Sequence, residues 1–572
     1  MTQSPINHMD REEIAKREIG HTDISKSMTW TLVVFFLGLI VIIPLAQQTR
    51  DALKGERPQA LEIFEAVPDA VSTFLEEKGS FFARIFSANG VLLRAIRSYE
   101  TELEDSSFLA ETFIPSMQQF YADWLGLGNE QAYIGHEGWL YYRPGVDYLI
   151  GPPFLEASFL KQRALTGDAS VGAAVQPNPL PAILDFHRQL QDRGIHLILM
   201  PIPVKGVVDP EFLSRRYKPE TRTSVQNPSY EIFCMQLREA GLDVLDVTEV
   251  LLENKAKTGQ PQFLRTDTHW TPEAMELAAT RLAVSIDSIL SMDRSASLKL
   301  TRTEKVISGD GDVAAMLKLP EDNRLYPLQE VRINPVLQPE GSEWIPDTSA
   351  AVLLLGDSFS NIYSLEAMGW GSSAGFAEQL SYRLQQPVDA IRRNDAGAFA
   401  TREMLAKELA QGKDRLAGKK VVVWEFAMRE LAVGDWKLLN LPEVPSTRAS
   451  PTSSEFFLPP QGRTMQVEAR VESRSMVPRP GTVPYKDQIF SVHLTELKGE
   501  NIPEGAQSVV YFSGMRDNKL TVPSTWKVGQ SVRVQLKDWN DVASTYDRLN
   551  RSELDDINLQ LEPPCWGVQV EP

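Results

Sequence analysis

Residues 351–360 read Ala-Val-Leu-Leu-Leu-Gly-Asp-Ser-Phe-Ser: an apolar run of strand length that stops at Gly356 and turns at Asp357-Ser358. A continuously apolar strand, unlike an alternating one, belongs in a parallel sheet covered on both faces. The pattern recurs on either side. Upstream, a helix through Ile183–Arg193 precedes the strand His196–Met200, and a helix around Tyr230–Ala240 precedes Leu242–Val247. A long helix over Pro272–Leu290 then leads toward the quoted run. Downstream, Phe376–Leu384 precedes Val388–Ile391, and Met404–Gln411 precedes Val421–Phe426. Strands alternating with helices predict an α/β fold whose ligands bind at the carboxyl ends of the strands.

Outside this block the sequence changes character. Residues 29–46 (TWTLVVFFLGLIVIIPLA) carry no charge and are long enough to cross a bilayer as a helix. Arg11, Lys16, Arg17 and Lys26 precede this span, and Arg50, Lys54 and Arg57 follow it. The slight basic bias puts residues 1–28 inside as a cytoplasmic tail and everything after residue 46 outside. Residues 47–130 carry helical patterning and read as a juxtamembrane region. The α/β domain is expected over 131–440. It opens with two short strand-like pieces around a glycine turn, Ala132–Gly135 and Gly138–Tyr142, and contains a loop over Asp168–Pro181. Residues 441–463, rich in Pro, Ser and Thr, read as a linker. Alternating Val467, Ala469, Val471 and later runs such as Val509–Phe512 make 464–572 an all-β module, a small barrel or sandwich.

Composition narrows the chemistry. The 572 residues carry a net charge of −18, which argues against a nucleic-acid partner. The sequence has no Gly-rich phosphate cradle, internal repeat or clustered Cys/His ligand set, so neither cofactor nor metal is expected. Cys234 and Cys565 leave a disulfide open in both directions.

Ser358 is the sharpest feature. It follows the strand and glycine where a helix should begin, which exposes its hydroxyl at the sheet's carboxyl edge and aims backbone N–H groups at an oxyanion beside it. Asp357-Ser358 equally suits a plain helix cap. A serine nucleophile needs a base, itself held by a third group. Of the seven histidines, His269 has a carboxylate two residues earlier, in Asp267-Thr268-His269-Trp270. If the stretch is extended, both side chains face one pocket. Thr271-Pro272 then starts the long helix, with Thr as cap and Pro in the first turn. Asp267, His269 and Ser358 together read as a Ser-His-Asp constellation.

Asp267–Pro272 followed by Gly356–Phe359 resembles the SGNH-hydrolase-like domain of the alginate O-acetyltransferases AlgJ and AlgX, in which the Asp/His pair likewise precedes the serine. The resemblance covers about 130–440, with support from Gly138–Tyr141, Met200–Lys205 and Val423–Phe426. The membrane span is similar to the AlgJ branch; the β-rich C-terminus is similar in position to the carbohydrate-binding module of AlgX. The resemblance implies an SGNH-like sheet in which Ser358 is the nucleophile, His269 the base and acid, and Asp267 the orienting carboxylate. The oxyanion hole would combine the Ser358 N–H with a donor after the next strand, Asn394 or Gly397. Tyr363, Trp270 and Lys205 are candidate substrate contacts; the competing readings are core packing for the aromatics and a solvated surface for the lysine.

The implied function is O-acetylation of an exported polysaccharide by a single-pass inner-membrane protein with its catalytic domain in the periplasm. Acetyl would come from a membrane-bound O-acyltransferase, alongside other export proteins. The competing readings are a polysaccharide acetyl esterase and a non-catalytic polysaccharide-binding scaffold.

Overall fold

The computed structural model describes residues 25–54, 66–76 and 108–570 apart from 167–174, 218–224, 291–296, 444–455 and a few short stretches, with isolated positions between 64 and 96. The expected cytoplasmic tail lies almost wholly outside the described residues, as do much of the juxtamembrane region and part of the linker. The chain forms two compact units, Met1–Ser116 and Met117–Pro572.

In the first unit, helix α1 spans Lys26–Lys54 and contains Pro44. Its 29 residues correspond to roughly 43 Å at the α-helical rise. Trp30, Phe35, Phe36 and Ile42 are all more than 60% exposed. Lys26–Arg50 is long and apolar enough to cross a membrane.

Among the described residues the second unit contains two large sheets and three two-stranded ones. The first is parallel throughout, with strands β1 His196–Ile202, β2 Asp243–Val244, β3 Val352–Gly356, β4 Asp389–Arg392 and β5 Val421–Ala427, in the order β4-β3-β5-β1-β2. Every residue of β3 and β5 is buried, as their unbroken apolar sequences require. β2 is much shorter than the sequence suggests. Asp246 accepts the Thr248 N–H at 2.8 Å, which turns the chain into the helix Thr248–Thr258. The long helix α2, Pro272–Leu290, starts as expected: the Thr271 hydroxyl accepts the Ala274 N–H at 3.3 Å.

The second sheet comprises β6 Met465–Arg474, β7 Gln488–Gly499, β8 Ser508–Arg516, β9 Lys519–Leu520, β10 Ser531–Asp538, β11 Asn550–Ser552 and β12 Cys565–Gln569. Pairings β8-β12-β10-β6-β7 return to β8, so five strands close into a barrel. The short strands β9 and β11 add to its margins. Val467, Val471, Phe490, Val492, Phe512, Val534 and Leu536 fill the interior. Cys565 lies on β12 and Cys234 in the helix Tyr230–Glu239; both are free and buried.

Candidate active site

The site lies at the carboxyl end of the parallel sheet. Gly356 ends β3, and any side chain there would collide: a Cβ would stand 2.3 Å from Ser360 Oγ and 2.9 Å from Glu425 Oε2. Asp357 then caps a single helical turn, α3 Ser358–Asn361, by accepting the Phe359 N–H at 2.8 Å. Its other carboxylate oxygen accepts the Ala427 N–H at 2.8 Å, tying the turn to the end of β5. The capping and nucleophile readings of Asp357-Ser358 are therefore compatible, because the cap is Asp357 and the hydroxyl of Ser358 is left to face His269. With one turn the helix dipole adds little; the N–H groups themselves are the useful donors.

His269 Nε2 is 2.8 Å from Ser358 Oγ, and its Nδ1 is 2.6 Å from Asp267 Oδ1. The carboxylate accepts only, which puts the proton on Nδ1 and leaves Nε2 to accept from the serine hydroxyl. The stretch is not extended, however. Residues 266–269 form a bend in which Asp267 Oδ1 also accepts the His269 backbone N–H at 2.9 Å. This Asx turn, not strand alternation, brings the i and i+2 side chains together.

The rest of the constellation comes from distant segments. Asp267 Oδ2 accepts Trp370 Nε1 at 2.8 Å and the Asp312 N–H at 3.0 Å. Asp312 Oδ1 accepts the Thr268 N–H at 2.7 Å, while Oδ2 lies 3.8 Å from His269 Nδ1. Gly311 permits this approach: its φ is +84°, and a Cβ there would lie 2.4 Å from Thr266 O. Glu425 Oε2 accepts the Asp357 N–H and the Ser360 hydroxyl at 3.0 and 2.5 Å. Arg429 lies over the rings of Phe359 and Tyr142 and lines a narrow pocket with Thr268 and Phe359. Sequence reasoning missed Asp312, Trp370 and Arg429. The Gly309–Asp312 run (GDGD) was a usable turn signal, but nothing local to Trp370 or Arg429 marked them.

Burial governs the electrostatics; His269, Asp267 and Ser358 are 1%, 1% and 3% exposed. Burial pushes the Asp267 carboxyl up, but His269 and two backbone N–H groups outweigh it and bring it down to about 2. Burial pulls His269 down, while the charges of Asp267 and Asp312 lift it, for a net rise above the ordinary value. Burial and the Asp267 charge push Asp312 up to about 6. Burial and the neighbouring Asp357 hold the Glu425 carboxyl well above the usual carboxylate range. Among the described residues one grouping brings metal-ligand atoms within 4.8 Å of one another, namely Asp267, His269 and Asp312. Its atoms are already engaged with each other and with backbone N–H groups.

A family model described as SGNH hydrolase-like domain, acetyltransferase AlgX, matches residues 133–428. The chain belongs to this family. Its parallel sheet is accordingly SGNH-like, preceded by an apolar helix and followed by a β module. Among curated relatives, "Probable alginate O-acetylase AlgJ" of Pseudomonas aeruginosa is 29% identical over 252 residues, 43% of this chain and 61% of that protein. The protein of that description from Pseudomonas putida is 32% identical over 251 residues, 42% and 60% of the two chains. The chain thus spans about three fifths of the length of the curated relatives it matches. The solved O-acetyltransferase domain of Pseudomonas putida AlgJ aligns with a TM-score of 0.40 at 24% identity, covering 53% of this chain and 93% of that one.

Within this AlgX-type domain the expected substrate contacts need correction. Lys205 is turned inward beneath Trp139 and Tyr141, its ammonium donating to the carbonyls of Leu140, Arg265 and Asp267 at 2.5, 2.9 and 3.1 Å. With those donors spent it braces the Asp267 loop from below, and burial brings its pKa down to about 7. Trp270 is fully buried against Phe359 and Phe376, with Nε1 donating to Phe359 O at 3.1 Å. Tyr363 is fully buried and donates to Trp270 O at 2.6 Å. Both aromatics brace the Asp267–Trp270 segment against the Ser358–Asn361 turn. Asn394 lies beside α3, its Oδ1 accepting Asn361 Nδ2 at 2.7 Å and its Nδ2 directed at Met368 Sδ at 3.4 Å. Gly397 has a φ of +65° and packs beside Glu430; residues 395–396 lie outside the described set.

Proposed function

We propose that the chain is a serine O-acetyltransferase that acts on an exported polysaccharide outside the cytoplasm. The observation that carries this reading is the two-sided engagement of His269, 2.8 Å from a serine hydroxyl and 2.6 Å from a buried carboxylate. In the first step Ser358 Oγ attacks the acetyl carbonyl of the donor as His269 Nε2 takes its proton. The imidazolium returns that proton to the departing group, leaving an acetyl ester on Ser358. In the second step a sugar hydroxyl gives its proton to His269 and attacks the ester; Ser358 recovers the proton as it leaves. Asp267 holds the imidazole in the required tautomer throughout. The Ser358 N–H and a donor from Asn394 or Gly397 would hold the oxyanion.

Membership in the AlgX-type family and the AlgJ relatives support acetyl as the transferred group and a polysaccharide as acceptor. Acetyl-CoA is confined to the cytoplasm, so a membrane-bound O-acyltransferase would deliver the acetyl group, within a larger export assembly. The helix Lys26–Arg50 would anchor the protein once in the inner membrane, with the remainder in the periplasm.

The test is the full chain in detergent, given a small chromogenic acetyl ester and an oligosaccharide. Acetylated oligosaccharide is the expected product. Acetate release alone would make the protein an esterase, and sugar binding without turnover a scaffold.

A further inference from the structure

The loop expected to complete the oxyanion hole is held by the C-terminal barrel. The Arg393 N–H donates to Gly356 O at 2.9 Å, fixing the turn after β4 to the last residue of β3. From the barrel side, Arg551 O accepts Arg393 Nη2 at 2.7 Å, and Asn550 Oδ1 accepts the Asn394 N–H at 3.3 Å. Asn394 Oδ1 in turn accepts Asn361 Nδ2 at 2.7 Å, and Asn361 closes the helical turn that Ser358 opens. A continuous hydrogen-bonded path therefore runs from β11 to the turn carrying the serine.

The path is buried at both ends, half-buried at Asn394 between them, and anchored at its barrel end. Asn550, Arg551 and Asn361 are 1%, 7% and 0% exposed. β11 pairs with β7, matching Asn550 with Gln488. The Arg551 guanidinium lies over Tyr511 and Trp539, 5.4 and 5.2 Å from the ring centroids. Nearby, Lys407 Nζ pairs with Glu553 Oε1 at 3.3 Å across the same seam. A module merely tethered by the 441–463 segment would have no need to satisfy a main-chain N–H of the catalytic domain. The half-buried Asn394 N–H instead takes its partner from a barrel side chain.

We propose that β11 is a working part of the active site, with Asn550 a positioning residue that fixes the Arg393–Asn394 turn beside Ser358. This inference rests on Ser358 being the nucleophile. The small ester carries no sugar chain, so its turnover separates positioning from polysaccharide capture.

With the full chain in detergent, Asn550→Ala should lower kcat for the ester about tenfold, because small displacements of catalytic groups are costly. KM should stay within about twofold of the parent under the same reasoning. Asn550→Asp keeps the accepting oxygen and should recover most of the loss; failure to recover would mean the oxygen is not what matters and would overturn the proposal. An unchanged kcat in Asn550→Ala would overturn it too, leaving the barrel an independent module. If Asn550→Ala melts early, Arg393→Gln breaks the contact with Arg551 O from the other side. A fall in kcat at constant KM would then support the proposal, and a parental kcat would overturn it. Ser358→Ala run in parallel keeps the two questions apart. Parental turnover in that variant sinks the nucleophile reading, whereas its inactivity beside an unaffected Asn550→Ala sinks the positioning role alone.

Discussion

The carboxyl edge of the parallel sheet and the interior of the barrel are both buried, and they bury opposite things. The edge encloses Asp267, His269, Asp312 and Glu425, all ionisable. The barrel encloses Val467, Val471, Phe490, Phe512, Val534 and Leu536. Removing charge from water costs several kcal/mol per ion before pairing offsets it, while apolar burial is favourable throughout. The edge therefore weakens the fold where it builds a reactive geometry. The barrel, whose ring of strands leaves little free edge, strengthens it. Substitutions in the two regions should separate accordingly.

The largest separation is expected between Ser358→Ala and Leu536→Ala. The first should lower ester turnover by roughly 10³-fold or more and leave the melting temperature within a few degrees. The second should cost about 2–5 kcal/mol of stability, read by denaturant melts, with kcat unchanged below the transition. Leu536 serves because β10 does not pair with β11, so the contacts to the Arg393 turn are spared. A Leu536→Ala protein that is folded yet slow would mean the two regions are not separable.

A smaller effect is expected from Trp370→Phe, which keeps a ring over Gly309 but removes the Nε1 donor to Asp267. Hydrogen bonds to charged acceptors contribute about 1.5–3 kcal/mol, so kcat/KM should fall by about tenfold or more. A parental kcat/KM would show that Asp267 is held well enough by its other donors.

What could be read ahead of the structure follows the same division. The buried strands β1, β3 and β5 were legible because total burial writes itself as an unbroken apolar run. Asp267 and His269 were legible because they are two residues apart, and Ser358 because strand, glycine and turn are contiguous. Asp312 and Trp370 reach Asp267 across 45 and 103 residues of chain, a proximity that only folding creates. Lys205 misled because an isolated lysine is usually solvated; its burial depends on carbonyls supplied by Leu140, Arg265 and Asp267. The barrel's class was visible in its alternation. Its closure and the grip of β11 on the Arg393 turn were not, because strand order leaves no local trace.

The finest contrast lies within the edge itself, between the two aspartates that share His269. Asp267 is brought down to about 2, so its contribution to stability is present above its unfolded value of 3.8 and fades as pH falls through 2. Asp312 is pushed up to about 6, so the fold favours its neutral form; that contribution is present below 3.8 and is lost as pH climbs through 6. Above that point ionised Asp312 weighs against the fold by at most about 3 kcal/mol, at 1.36 kcal/mol per pH unit. Its charge also helps lift His269, which must be neutral in the proposed base role, so the acid limb of the rate profile should sit above the ordinary histidine value. Asp312→Asn keeps an oxygen for the Thr268 N–H and discards the charge. Relative to the parent, it should melt higher at pH 8 and no higher at pH 4, and its acid limb of kcat/KM should move to lower pH. If limb and melting curves both stay with the parent, the Asp312 charge does nothing for the histidine, and the edge then holds one working carboxylate instead of two.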